Sequence, residues 1–269
     1  MRIGKWNFDT KEQTYIMGIL NVTPDSFSDG GKYRTIDTAL KRTEEMIAQG
    51  MDIVDIGGES TRPGYTKISD EEEIERVIPI VEAVKTHFDI PISVDTYKSK
   101  VAESAILAGA DLINDIWGLK ADTRMAEVIA KYDVACCLMH NRTNTQYEDF
   151  LQDILQDMKE SISLAKKAGI SEDKIMLDIG VGFAKDYKQN LLAIKHMDLL
   201  STLGYPTLLG TSRKSVIGLT LDLPKEERVE GTLVTSVLAV EKGCSFVRVH
   251  DIKENYRAIQ MAQAIYRRG

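Results

Sequence analysis

A chain of 269 residues has room for one large domain or two small ones, and (β/α) barrels reach that length as a single unit. Hydrophobic residues at 43% and charged residues at 28% give the ordinary balance of a globular protein with a substantial core. With 34 Lys and Arg against 41 Asp and Glu, the net charge of −7 excludes the overall basic field of a nucleic-acid binder or a polybasic membrane protein, but not a small anionic substrate. No apolar run approaches the length of a membrane span. The N-terminal segment has no apolar block followed by a small-residue cleavage site, so no signal peptide is expected. Cys136, Cys137 and Cys244 form neither a CxxC nor an even disulfide framework. Their apolar surroundings predict reduced core thiols, and hence a cytoplasmic protein.

Short apolar runs alternate with amphipathic stretches along the chain. Tyr15–Leu20 is predicted as a strand and Thr35–Gln49 as a helix stopped by Gly50. Asp52–Gly57 is the next strand, and Ser69 with the acidic residues Asp70 to Glu72 reads as the N-cap and first turn of a helix running to about His87. Strand and helix then recur as Ile90–Val94 with Ser99–Ala108, Leu112–Asn114 with Asp122–Lys131, and Val134–Met139 with Tyr147–Ala168. The last units are Lys174–Leu177 with Asn190–Leu203, Pro206–Gly210 with Lys225–Glu241, and Ser245–Val249 with Ile252–Tyr266. Such alternation implies parallel strands with right-handed crossovers, and eight units point to a single-domain (β/α)8 TIM barrel over 1–269. An open doubly wound sheet competes, but the turn after the first strand lacks GxGxxG. Residues 2–8 are read as an extra strand plugging the barrel bottom.

In a barrel of this kind the chemistry sits where the strands end. The strands end here on Asn21, Gly57 to Gly64, Asp95-Thr96, Asn114-Asp115, His140, Asp178, Ser212 to Ser215, and Arg248 to Asp251. Each has a bland reading. Asp95 and Asp178 suit helix N-caps, Asn114 an Asx turn, His140 a satisfied core histidine, and Lys185 and Arg213 solvated charges. His87 and His196, on helices, read as surface or packing residues. Eight polar strand ends converging on one mouth outweigh those readings taken singly.

Residue type also constrains the ligand. Arg62, Lys214, Arg248 and His250 form a cationic set inside an acidic protein, and the Ser212–Ser215 stretch reads as a helix opening whose N–H groups add an anion site. The carboxylates facing that set suit the paired N–H and NH2 donors of an aminopyrimidinone edge. The residues alone therefore point to a phosphorylated or carboxylated heterocycle and to group transfer or lysis, without choosing between them.

The segments that build this mouth resemble the dihydropteroate synthases, a pterin-binding family of the folate pathway. The resemblance runs from Ile16 through Asn21-Val22-Thr23-Pro24-Asp25-Ser26-Phe27 to Gly31, and through Asp55-Ile56-Gly57-Gly58-Glu59-Ser60-Thr61-Arg62-Pro63-Gly64. It continues in Ser93 to Thr96, Ile113 to Asp115, Leu138 to His140, Thr211 to Gly218 and Val247 to Asp251, covering essentially 14–268. It implies condensation of 6-hydroxymethyl-7,8-dihydropterin diphosphate with para-aminobenzoate, with Mg2+ accompanying the diphosphate. Carried over by position, Asp95, Asn114, Asp178 and Lys214 hold the pterin, between Met139 and Phe183 as apolar walls. Asn21, with Asp29 as a further candidate, reaches the metal, while Arg248 and His250 bind diphosphate oxygens. Thr61, Arg62, Pro63, Pro24, Phe27 and Asp29 close over the second substrate, and Ser215 receives its carboxylate. Asp95, Lys214, Arg248 and His250 are the implied catalytic groups. The resemblance further implies a homodimer and inhibition by sulfonamides.

The sequence departs from the family at Ile179, where proline is usual in DPGxGF, which predicts a looser turn after the sixth strand. Trp117 and Asn141 are smaller departures. A pterin-binding methyltransferase domain and a catalytically silent pterin-binding module are the competing readings. The first has no need of a diphosphate clamp, and retention of both loops and the cationic set argues against the second.

Overall fold

The computed structural model describes residues 1–22, 32–59 and 67–267, and of 32–34 the backbone alone. In chain order the elements are β1 (Arg2–Ile3), β2 (Trp6–Asn7), β3 (Tyr15–Asn21), α1 (Lys32–Ala48), β4 (Ile53–Gly57), α2 (Asp70–His87), β5 (Ile92–Asp95) and α3 (Ser99–Ala108). There follow β6 (Leu112–Asp115), α4 (Met125–Tyr132), β7 (Ala135–Met139), α5 (Phe150–Ala168), β8 (Ile175–Asp178) and α6 (Tyr187–Lys195). The chain closes with β9 (Thr207–Leu209), α7 (Ser215–Leu221), α8 (Val229–Glu241), β10 (Phe246–Val249) and α9 (Ile252–Tyr266). Strands β3 to β10 form one closed, parallel barrel, β10 pairing with β3, as the alternation predicts.

Local chemistry sets the helix ends. Ser69 Oγ accepts from the Glu72 N–H at 3.1 Å, the N-cap expected from sequence. Asp149 caps α5 through the N–H groups of Leu151 and Gln152, so that helix starts at Phe150 rather than at Tyr147. The stretch predicted as one helix over Asn190–Leu203 divides at His196 into α6 and a 3-10 segment, Met197–Leu203. The stretch predicted over Lys225–Glu241 likewise yields α8 after a single 3-10 turn. No helix among the described residues is long and apolar enough to cross a membrane.

Two apolar layers follow from the period-2 alternation of strand side chains. Ile16, Leu20, Val54, Ile56, Ile92, Val94, Ile113, Leu138, Leu177 and Val247 face outward and pack under the helices. Met17, Ile53, Leu112, Ala135, Cys137, Met176, Leu208 and Phe246 face inward and fill the lower barrel. Ile3 and Phe8 join that inner cluster, and Phe8 packs edge-on against Tyr15 with ring centroids 4.8 Å apart. The N-terminal plug therefore exists, as a two-stranded antiparallel hairpin rather than one strand. All three cysteines are buried and free.

Candidate active site

The inward positions that are apolar at the bottom turn polar at the top. β4 points Ile53, Asp55 and Gly57 inward, β5 Ser93 and Asp95, and β10 Phe246 and Arg248, each pair two residues apart. Parallel register sets Asn21 beside Gly57, Gly57 beside Asp95, Asp95 beside Asn114, and Met139 beside Asp178. The residues expected at the ends of six separate strands thus share one rim. Two glycines keep its floor open. A side chain at Gly57 would stand 3.7 Å from Asn21 Oδ1 and 3.9 Å from Asp95 Oδ2; one at Gly210 would stand 3.6 Å from Asp178 Oδ2 and 3.9 Å from Lys214 Nζ.

Arg248 spans two carboxylates. Its Nε donates to Asp55 Oδ2 at 2.6 Å and its Nη2 to Asp95 Oδ2 at 2.7 Å, while Asp55 Oδ1 accepts from Ser93 Oγ at 2.5 Å. A guanidinium has five N–H groups, so these bonds leave three for a ligand. Asp95 Oδ1 is buried with no hydrogen-bond partner among the described residues. Burial raises the Asp95 carboxyl to about 7 against the pull of Arg248, with Asp55 adding repulsion. A buried acceptor left unsatisfied beside a charged donor is a ligand-shaped deficit.

Across the mouth, Asp178 Oδ1 accepts from the Gly180 N–H at 2.8 Å. Burial raises the Asp178 carboxyl, opposed chiefly by Lys214. Lys214 donates to the Val181 carbonyl and holds its Nζ 4.8 Å over the Phe183 ring. Burial lowers its ammonium to about 8, with Asp178 acting to keep it charged. Met139, Ile116 and Tyr97 pack together with Trp117 and Phe183 against them, an apolar wall beside the polar floor. Tyr97 and Trp117 also line a cavity of about 910 Å³ between the loops that follow β5, β6 and β7.

His250 is not a cation. Burial, reinforced by Arg248 and Arg213, lowers it to about 3. Its Nδ1 lies 2.9 Å from Ser212 Oγ, which also receives the His250 backbone N–H at 3.2 Å. With the Ser212 O–H donating to Nδ1, the ring carries its proton on Nε2, which is left as a donor. Ser215 is exposed at the first position of α7. Arg213 points away, bonded through Nε to Asp251 at 2.9 Å. Thr61, Arg62, Pro63, Pro24, Phe27 and Asp29 lie outside the described residues.

Two groups in this region were not picked out as functional by sequence reasoning. Asp55 was passed over as part of a strand, although a charge at position 55 has the same parity as the inward Ile53 and Gly57. Lys185, read as a solvated charge, is buried beside His140, and His140 is the satisfied core histidine of its bland reading. Among the described residues no cluster of three or more His, Cys, Asp or Glu forms a metal cage. Asn21 places a hard neutral oxygen at the rim, beside Gly57.

The family model for pterin binding enzymes matches residues 17–250. The dihydropteroate synthase of Clostridium beijerinckii is 61% identical over 269 residues, all of both chains. A crystal structure of dihydropteroate synthase from Clostridium difficile in the presence of pteroic acid superposes with a TM-score of 0.95 at 51% identity, covering 97% of this chain and 100% of that one. The Yersinia pestis dihydropteroate synthase with a sulfonamide drug complex gives a TM-score of 0.92 at 39% identity over 98% of both chains.

Proposed function

This chain belongs to the pterin-binding enzyme family, among its dihydropteroate synthases, and we propose that its barrel mouth divides the work of that reaction as follows. The enzyme is a transferase of folate biosynthesis. It condenses 6-hydroxymethyl-7,8-dihydropterin diphosphate with para-aminobenzoate to give 7,8-dihydropteroate and diphosphate. The observation that carries the assignment of roles is the unpartnered, buried Asp95 Oδ1, at a rim where Gly57 beside Asp95 and Gly210 beside Asp178 and Lys214 leave out side chains.

Asp95, Asn114 and Asp178 accept the N–H and NH2 donors of the pterin, Lys214 donates to its acceptor edge, and Met139 and Phe183 cover its faces. Arg248, with three N–H groups uncommitted, and the His250 Nε2–H face the diphosphate. Asn21 would be the residue that reaches a Mg2+ brought in with the diphosphate, an oxygen donor of the kind that ion takes. When bound, Mg2+ neutralises charge on the diphosphate oxygens. The carbon–oxygen bond to diphosphate breaks, leaving a resonance-stabilised pterin methylene cation that the Asp95 carboxylate offsets. The arylamine lone pair then forms the carbon–nitrogen bond, and the resulting ammonium loses one proton to solvent or to the departed diphosphate. Positioning does most of the remaining work, because an arylamine needs little activation. Ser215 receives the benzoate carboxylate, with Thr61, Arg62, Pro63 and Phe27 closing over it, so a sulfonamide competes with para-aminobenzoate.

A homodimer and a cytoplasmic location belong to the same reading. Tyr187, Leu191, Leu219, Leu221 and Val234 are exposed on α6, α7 and α8, and Tyr187 links α6 to α7 through Thr220 Oγ1 at 3.0 Å. Light scattering on the eluting protein gives twice the chain mass if this face pairs. The assay for the reaction is diphosphate release that requires both substrates. Release absent alongside tight pterin binding supports a silent binding module instead, and corrinoid-dependent methyl transfer supports a methyltransferase.

A further inference from the structure

We propose that Lys185 is a positioning residue for pterin binding: its buried ammonium, backed by His140 and Asp157, fixes the turn that follows β8 and with it the Asp178 carboxylate and the Phe183 ring. The proposal rests on the pterin site assigned above. Lys185 Nζ donates to His140 Nδ1 at 2.9 Å, to the Gly180 carbonyl at 3.0 Å and to the Phe183 carbonyl at 3.1 Å. In its charged form, which burial confines to below about pH 7, the group has three N–H bonds, and three acceptors meet them. Two of those acceptors are the backbone oxygens at either end of the turn, so one side chain ties the turn from inside.

The third acceptor makes the arrangement directional. His140 accepts at Nδ1, so its proton lies on Nε2, which donates to Asp157 Oδ2 at 2.9 Å. Asp157 also takes the Arg142 Nε–H, at 2.5 Å. Burial lowers His140 to about 4, so the ring stays neutral and keeps a lone pair for Lys185. Bonds from His140 and Arg142 outweigh burial at Asp157 and hold it below the usual carboxylate range. The chain Arg142–Asp157–His140–Lys185 therefore has one consistent set of donors and acceptors, from the loop after β7 to the turn after β8.

The turn needs such support. Gly180 sits in the left-handed region at φ +72, where a Cβ would lie 2.0 Å from the His140 carbonyl oxygen. Further ties come from around it: Asn190 Oδ1 accepts the Gly182 N–H at 2.5 Å, Tyr147 Oη donates to the Ala184 carbonyl at 2.9 Å, and Lys214 donates to the Val181 carbonyl. Ile179 stands where a proline would restrain the backbone covalently. The looser turn that its presence predicts is instead held by side-chain hydrogen bonds, from Lys185 within it and from Asn190, whose Nδ2 donates to the Lys185 and Asp186 carbonyls.

The test is steady-state kinetics on Lys185→Met and Asp157→Asn, with Asp178→Asn as the control for the pterin site, and thermal midpoints recorded alongside. Lys185→Met should raise the KM for pterin diphosphate by ~10-fold or more, as a misplaced binding group does, with kcat and the KM for para-aminobenzoate within about twofold of the parent. Asp157→Asn should move the same constant in the same direction by ~3-fold, and carries the test alone if Lys185→Met does not fold. A lowered thermal midpoint with an unchanged pterin KM overturns the proposal, as does a fall in kcat alone. If Asp178→Asn also leaves the pterin KM untouched, the pterin site itself is wrongly placed. If only the Lys185 and Asp157 variants do so, the positioning role alone fails.

Discussion

Binding of an inert pterin should expel a proton from Asp95, and the quantity follows from the site. The free carboxyl is held at about 7, burial outweighing Arg248, and its Oδ1 has no donor to satisfy it among the described residues. A pterin bringing N–H donors to that oxygen favours the ionised form, so affinity rises with pH. With the bound-state value well below 6, about 0.9 proton per site is released at pH 6 and about 0.1 at pH 8. The same arithmetic makes the complex about tenfold tighter at pH 8, or about 1.4 kcal/mol. Titration calorimetry in two buffers of different ionisation enthalpy reads the proton count directly. Lys185 at about 7 and Lys214 at about 8 titrate in the same window, near Asp178, so the informative quantity is the parent minus Asp95→Asn. That difference should carry nearly the whole release, and the variant should lose ~10²–10³ in kcat as the developing cation goes unmatched. A release that persists undiminished in Asp95→Asn would refute the reasoning, and so would an affinity flat from pH 6 to 8.

Three other substitutions probe separate parts of the barrel. Asp55→Asn removes one of the two carboxylates on Arg248 and should cost about 3 kcal/mol in urea unfolding, with a fall in kcat/KM, because the guanidinium keeps a single counter-charge. Phe8→Ala empties the hairpin plug and should cost about 3–5 kcal/mol, lowering Tm by about 6–15 °C while kcat at 25 °C stays unchanged; a loss of kcat in the folded variant would contradict a purely structural plug. Gly210→Ala fits without a clash, its Cβ at 3.6 Å or more from its neighbours, yet fills the floor. Its Tm should hold while the KM for pterin diphosphate climbs ~10-fold or more, and an unchanged KM would show that the pterin does not lie over that floor.

The barrel was legible because each strand carries its own period and each crossover its own stop signal, as Gly109 does after α3 and Gly169 after α5, both in the left-handed region. Strand ends were legible for the same reason: once the apolar run stops, the next residue is at the mouth. Pairing partners were not. Nothing in the order of residues says that Arg248 spends two of its N–H groups on Asp55 and Asp95, since the partners are separated by 193 and 153 positions and meet only when the barrel closes. The same closure neutralises His250, whose type suggests a cation but whose burial beside Arg248 forbids one. The role of Lys185 is not legible in sequence because its three acceptors are two backbone carbonyls and a histidine, groups with no signature in a one-dimensional pattern.

The three cysteines sit in two apolar layers of the same fold, Cys137 in the inner one and Cys136 and Cys244 in the outer. Cys137 faces the barrel interior, Cys136 the seam between strands and helices, and Cys244 the end of the barrel where β10 begins, none more than 1% exposed. Burial raises all three thiols, so none is reactive while the fold is shut. Each becomes a timer for the opening of the layer that holds it. Labelled by a small alkylating reagent and located by mass, they would distinguish a barrel that breathes at its base from one that parts along its flank, with no probe added to the sequence.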